Sequence, residues 1–173
     1  MTTPQSILQE RAARLALPPV VNTSPTDALT IVIFELAGDQ YALEARLVRE
    51  VALAPDVTPV PAAPAVLVGV MNLRGEVLAV LDPRPLLGMS PHNTVAVRPT
   101  ILILGTGQAE CGLLVDHAFD VTTLPRTDLH PPPVGHNGLV RAITTAGLAL
   151  LDGTALLADP RFTIDQSDDG DLA

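Results

Sequence analysis

Side chains able to do chemistry are sparse in this chain of 173 residues, and the best placed of them is a guanidinium. Within GVMNLRGEVLAVLD, residues 69–82, two short apolar runs flank the polar hinge Asn72-Leu73-Arg74-Gly75. Gly75 can take positive φ, which lets the chain turn sharply between two strand candidates. Asn72 and Arg74 are therefore expected at a turn. A forked guanidinium held there is a directional donor, better suited to a partner's carboxylate or carbonyls than a flexible ammonium. The ordinary reading of a lone turn arginine is a solvated charge, so the choice rests on the rest of the chain.

Catalysis has less to work with. A nucleophile would have to be Cys111 assisted by His117, and a metal site would have to use His117, His130 and His136. Neither set has a spacing that fits thiol chemistry or zinc, and Cys111 falls in a strand, where a small buried thiol is the usual outcome. Ser6, Ser24, Ser90 and Ser167 lie in linkers or tails with no nucleophile elbow. Asp82 and Asp152 read as helix caps, and no glycine-rich phosphate cradle precedes a helix. All ten basic residues are arginine, which removes Schiff-base chemistry and the phosphate-loop lysine. No catalytic residue, cofactor or metal is expected.

An internal repeat changes the weight given to the hinge. Displaced by 70 positions, Ile31-Val32-Ile33-Phe34 falls on Ile101-Leu102-Ile103-Leu104, Leu43 on Leu113, Val51 on Val121, and Pro61 on Pro131. Val70 and Leu73 fall on Val140 and Ile143, Leu78 to Asp82 on Leu148 to Asp152, and Leu86-Leu87 on Leu156-Leu157. Apolar runs, a proline, an aspartate and a Leu-Leu pair in one register indicate two equivalent modules in tandem. The copies part at the hinge: Gly69, Asn72, Arg74 and Gly75 fall on Leu139, Ala142, Thr144 and Thr145. Shared positions read as core and unshared ones as function.

The elements that position the hinge follow in order. Ser6 and Gln9 form a capping box, and Leu8, Ala12 and Leu15 share a face, which predicts a short helix from about Ile7 to Leu17 and a linker to residue 27. The first module runs as a strand from Leu29 to Leu36, turns at Gly38-Asp39, and continues through Val48 to Val51. There Val48 and Glu50 take one side and Arg49 and Val51 the other. A proline-rich connection leads to the hinge and the strand Val77 to Leu81, followed by a short helix capped by Asp82 with Gly88 beyond its end. The second module repeats the plan, with strands near 100–104, 110–115, 119–124, 138–143 and 148–151 and a short helix after Asp152. Many short strands with regular turns and no long helix give an all-β class, a pair of small barrels. The first covers about 29–88 and the second about 99–158 inside a domain spanning 28–164, with an exchange of elements between them left open. Residues 165–173 read as a disordered acidic tail.

With 47% hydrophobic residues the chain can bury a core. A net charge of −9 and the scarcity of aromatics exclude nucleic acid as a partner and favour partners that are basic or carry local arginines. A single cysteine suits a reducing compartment. With no leader pattern and no apolar run of spanning length, the expected location is the cytoplasm of a prokaryote-like cell, with no insertion into the membrane.

The stretch GVMNLRGEVLAVLDPRPLLG closely resembles the signature of the CheW domain. VREV upstream, the prolines between, and LLVDHAFDV in the second module fall where that family has its counterparts. The resemblance covers roughly Leu29 to Leu157. It implies two SH3-like five-stranded barrels around a shared apolar core, and, in a chain holding this domain alone, a non-enzymatic adaptor that couples methyl-accepting chemoreceptors to a CheA-type histidine kinase. It further implies a groove for the receptor's cytoplasmic tip, with Val48, Glu50 and Arg74 facing the receptor and Gly69, Gly75 and Val77 facing the kinase's regulatory domain. Two pseudo-equivalent barrels also allow head-to-tail contacts with other CheW-like domains, which close into rings if the rotation permits. Pro83 stands where the family's Asp-Leu-Arg has leucine, leaving the role of Arg84 open. A CheW-like regulatory module in another motility or kinase pathway is the alternative.

Overall fold

The computed structural model describes residues 27–53, 56–91, 100–133 and 138–159. The helix expected from Ile7 to Leu17 and the acidic tail lie outside these residues. The strands are β1 (Ala28–Leu36), β2 (Asp39–Glu44), β3 (Val48–Leu53), β4 (Val57–Thr58), β5 (Leu67–Leu73), β6 (Glu76–Leu81), β7 (Thr100–Leu104), β8 (Cys111–Val115), β9 (His117–Pro125), β10 (Leu129–His130), β11 (Val140–Thr144) and β12 (Ala149–Leu151). A 3-10 turn, Pro85–Leu87, follows β6, and helix α1 (Gly153–Leu157) follows β12. The order of strands is that of two copies of one plan.

The copies do not fold as separate barrels. One sheet runs β10-β11-β12-β2-β1-β9 and the other β3-β7-β8-β6-β5-β4. Each sheet thus takes its first hairpin from one module and its remaining strands from the other, and exchanging the modules turns one order into the other. The ranges 29–88 and 99–158 are sequence modules, not barrels. The junctions agree in register: the parallel pair Val80↔Gly112 matches Leu150↔Ala42, and Leu102↔Val51 matches Val32↔Val121.

This exchange explains the continuous apolar runs. β7 and β8 are buried at every position, because Ile101 and Ile103 face the interior of one barrel while Leu102, Leu104 and Leu113 join Phe34, Leu36, Leu43, Leu81 and Leu151 between the barrels. A strand covered on both faces has no polar side to alternate with. Leu29, Ile31, Ala42, Ala142 and Leu150 fill the other barrel.

The ungapped offset of 70 holds for β1/β7, β2/β8, β3/β9 and β6/β12 but fails at β5. Val70 lies opposite Ala79 and Thr58, and the residue in that position of the second module is Ile143, opposite Ala149 and His130. The equivalence of Val70 with Val140, and the others drawn across the hinge, are therefore corrected to an offset of 73. The cause is the hairpin. Residues 72–77 separate Met71 from its partner Leu78, whereas only 145–147 separate Thr144 from Leu148, whose carbonyl accepts from Thr144 N at 2.9 Å. The hinge rides on a hairpin extension that the second module lacks.

The end of β6 carries a buried charge cluster. Arg84, its side chain 3% exposed, places Nη1 2.9 Å from Asp82 Oδ1 and Nη2 2.6 Å from Asp116 Oδ1. The second is a charge contact, not an aligned hydrogen bond. Asp116 sits where the chain crosses from β8 in one sheet to β9 in the other, and its Oδ2 accepts from Ala37 N at 2.6 Å in the β1–β2 turn. Asp82 was expected to cap a helix; instead it accepts from the main chain and the guanidinium of Arg84, and Arg84 occupies the cap position of the 3-10 turn. Asp152 does cap α1, accepting from Thr154 N and Ala155 N. Truncating one member of a buried pair strands the others, so Arg84→Ala is expected to lose about 3–5 kcal/mol in urea unfolding. The double variant Asp82→Asn with Arg84→Met, which removes both charges, should recover part of that loss.

Candidate functional site

The β5–β6 hairpin ends in a two-residue turn. Leu73 pairs with Glu76, and the two residues between them, Arg74 and Gly75, both have positive φ, 54° and 94°. Primed hairpin turns demand this backbone because it matches the twist of the strands. A non-glycine residue at Arg74 carries a conformational cost, and the turn is held by Asn72 Oδ1 accepting from Gly75 N at 2.9 Å. Asn72 therefore fixes the turn, and Arg74 is what the turn displays.

From there Arg74 reaches across the barrel mouth. Its Nη2 lies 2.5 Å from Glu50 Oε2 on β3, a strand that is not a neighbour of β5 or β6 in the sheet. Glu50 is aimed by a β-bulge, since the β3–β7 register slips between Val48 and Glu50. The pair borders a groove of about 360 Å³ lined by Arg49, Glu50, Leu73, Arg74, Glu76, Ile103, Gln108 and Ala109. Its apolar floor of Leu73, Ile103 and Ala109 belongs to the core of that barrel. The β7–β8 turn forms one wall, braced by Thr106 N and Oγ1, each 2.8 Å from Glu110 Oε1.

The six residues singled out from sequence divide. Glu50 and Arg74 are brought together. Val48 is on the same strand, but its side chain is half-buried against the core shared by the barrels. Val77 is 71% exposed on the hairpin and Gly75 faces open space, so these two present one outer surface. Gly69 is buried: a Cβ there would come within 2.3 Å of the Thr58 carbonyl, so its absence lets β4 lie close on β5.

Other groups were not singled out as sites. Glu44, 8% exposed in its side chain, pairs with Arg46 at 2.5 Å and with Arg141. Burial pushes its carboxyl up, but the hydrogen bonds and charges of Arg46 and Arg141 outweigh this and hold it below the ordinary range. No run of sequence links position 44 to 141; only the junction of β2 with β12 does.

The thiol of Cys111 is pushed up to about 12, chiefly by burial and then by Glu110, which leaves almost no thiolate near neutrality. His117 is exposed and its ring lies 5.5 Å from that of Phe119. Among the described residues no group of three or more His, Cys, Asp or Glu could hold a metal. No helix among them is long and apolar enough to cross a membrane.

Three outcomes follow. Iodoacetamide at pH 8 should leave Cys111 unmodified in the folded protein and label it fully in denaturant, as read by mass spectrometry. Arg74→Ala should shift stability by less than about 1 kcal/mol in thermal unfolding, because an exposed pair contributes little. Gly75→Ala, in open space but at positive φ, should cost about 1–2 kcal/mol.

Comparison with known proteins agrees with this architecture. The family model described as CheW-like domain matches residues 30–161. The chain is 32% identical over 120 residues to the chemotaxis protein CheW of Rhizobium meliloti, covering 69% of this chain and 77% of that one. It is 38% identical over 104 residues to Protein FrzA of Myxococcus xanthus, covering 59% and 63%. The crystal structure of the scaffolding protein TtCheW from Thermoanaerobacter tengcongensis superposes with a TM-score of 0.63 at 27% identity, over 71% of this chain and 88% of that one. With the two mixed sheets and the hinge hairpin in place, the chain belongs to the family of CheW-like domain proteins.

Proposed function

We propose that this protein is a non-enzymatic adaptor that couples chemoreceptors to a CheA-type histidine kinase in the cytoplasm, with two surfaces at one end of one barrel. The observation that carries the reading is the hairpin extension: it sets Arg74 over Glu50 in the first module and has no counterpart in the second. In this reading the groove beside that pair takes the receptor's cytoplasmic tip, with Glu50 and Arg74 at its rim and Val48 supporting β3 from below. The outer side of the hairpin, with Val77 and Gly75, meets the kinase's regulatory domain. Gly69 contributes by seating β4. An apolar floor with a directional charge at the rim suits a helical partner, and the pairing of two related folds allows ring closure with further CheW-like domains.

A second reading is supported by the likeness to Protein FrzA: the same adaptor chemistry serving a motility pathway with a different receptor.

Binding of the full chain to a receptor-tip fragment and to the kinase regulatory domain of the same cell tests the assignment. Arg74→Ala should weaken receptor binding by about tenfold and leave kinase binding unchanged. Val77→Glu should do the reverse, and Gly75→Arg should follow Val77→Glu once melting has shown it folded. Loss of both activities in one variant with an unchanged melting curve would mean a single shared surface. A wild type that binds neither would remove the adaptor reading.

A further inference from the structure

The groove holds four charges, and only two of them are matched among the described residues. Glu50 and Arg74 pair across the mouth. Arg49 and Glu76 line the same groove, are exposed, and make no ion pair among the described residues. They come from different sides: Arg49 from β3, at the bulge that also aims Glu50, and Glu76 from β6, at the foot of the turn. Once Glu50 and Arg74 cancel, the groove has a basic side on β3 and an acidic side on β6, with β7 and β8 between these strands in the sheet and Leu73, Ile103 and Ala109 in the lining. Such a pattern has a direction, although its net charge is zero.

We propose that Arg49 and Glu76 determine specificity in the groove by reading the polarity of its occupant. The occupant is a helical tip that sets an apolar side chain on the floor, a carboxylate toward Arg49 and a cation toward Glu76. Gln108, on the β7–β8 wall, faces the same space with a neutral donor and acceptor and suits main-chain groups left unpaired at a helical turn. The inference rests on the receptor reading above and deepens it, since a segment with reversed charges meets repulsion at both ends. Arg49 is not interchangeable with Arg74, which must first give up Glu50.

The test uses the full chain, a helical-hairpin fragment of the receptor's cytoplasmic tip as probe, and the kinase regulatory domain as control. Arg49→Glu and Glu76→Arg should each weaken receptor binding by about tenfold with kinase binding unchanged, and Arg49→Gln and Glu76→Gln should give smaller losses in the same direction. The double variant Arg49→Glu with Glu76→Arg keeps the net charge and should recover nothing. Recovery in the double variant would overturn the proposal, because only net charge, or pairing of the two with each other, would then matter. Wild-type binding by both single variants would also overturn it, and with Arg74→Ala still impaired the receptor reading would stand without it. Failure of the wild type to bind the receptor fragment while binding the kinase would overturn both.

Discussion

The exchange of hairpins between modules is the constraint from which the rest of the structure follows. Neither module can bury its own first hairpin: β1 and β2 are completed by β9 and β12, and β7 and β8 by β3 and β6. β7 and β8 pass between two apolar spaces and are covered on both sides, which is why their sequences, TILIL and CGLLV, are nearly all apolar, whereas β1 and β2 keep polar residues at exposed positions, Thr30, Asp39 and Gln40. Phe34 and Tyr41, with ring centroids 6.2 Å apart, add a pair of aromatic rings to the shared core. Such a core cannot be divided at residue 90 without exposing both halves, so the two barrels must form and melt together.

A fold built by repetition separates what it needs from what it adds. The β-bulge at Arg49 and Glu50 recurs in β9, where the register slips between Ala118 and Val121, so a carboxylate at Glu50 has a counterpart in Asp120. The bulge belongs to the fold. The arginine above it does not: the second hairpin closes with a three-residue loop tied by Thr144 and Thr145, the latter donating to Asp128 at 2.8 Å. Arg84 marks a second departure, because Asp152 merely caps α1 while Asp82 is drawn into a cluster with Arg84 and Asp116. That cluster ties the end of β6 to the crossover between the sheets, so the first module holds both the interbarrel tie and the hinge.

Much of this was legible in the residues. The succession of strands along the chain, the turn at Gly75 and the cap at Asp152 follow from local pattern and turn chemistry. The alternation expected from Val48 to Val51 does not hold, because the bulge between Val48 and Glu50 turns Arg49 and Glu50 into one groove and leaves Val48 on the shared core. The exchange of hairpins was not legible, because a buried two-faced strand reads the same whichever sheet completes it. The hairpin extension was hidden for a different reason: three residues gained in the connections before β11 cancel three lost in its turn, so the repeat returns to 70 at β12 and an ungapped comparison passes over the change. Arg84 and Glu44 escaped because burial of a charge depends on partners from distant strands, Asp116 and Arg141, that no spacing relates to them.

The strength of the Arg74–Glu50 contact bears on what it can do. With Arg74 79% exposed and Glu50 29% exposed, the pair is screened by water and contributes little to stability. Its geometry is nonetheless fixed from both ends, by the positive-φ turn that Asn72 staples and by the bulge in β3. A strong buried pair in this place would lock the groove mouth, and a lone arginine would wander through many rotamers that binding would then have to freeze. A weak pair on rigid supports keeps the guanidinium pointed across the groove, and in the proposed receptor reading a partner's carboxylate would replace Glu50 at little free-energy cost. Arg84, equally an arginine between carboxylates but buried, holds the barrels together and is not open to such an exchange. The difference between the two arginines is solvent, not chemistry, and it separates a buried structural tie from a guanidinium displayed at the surface within ten residues of one chain.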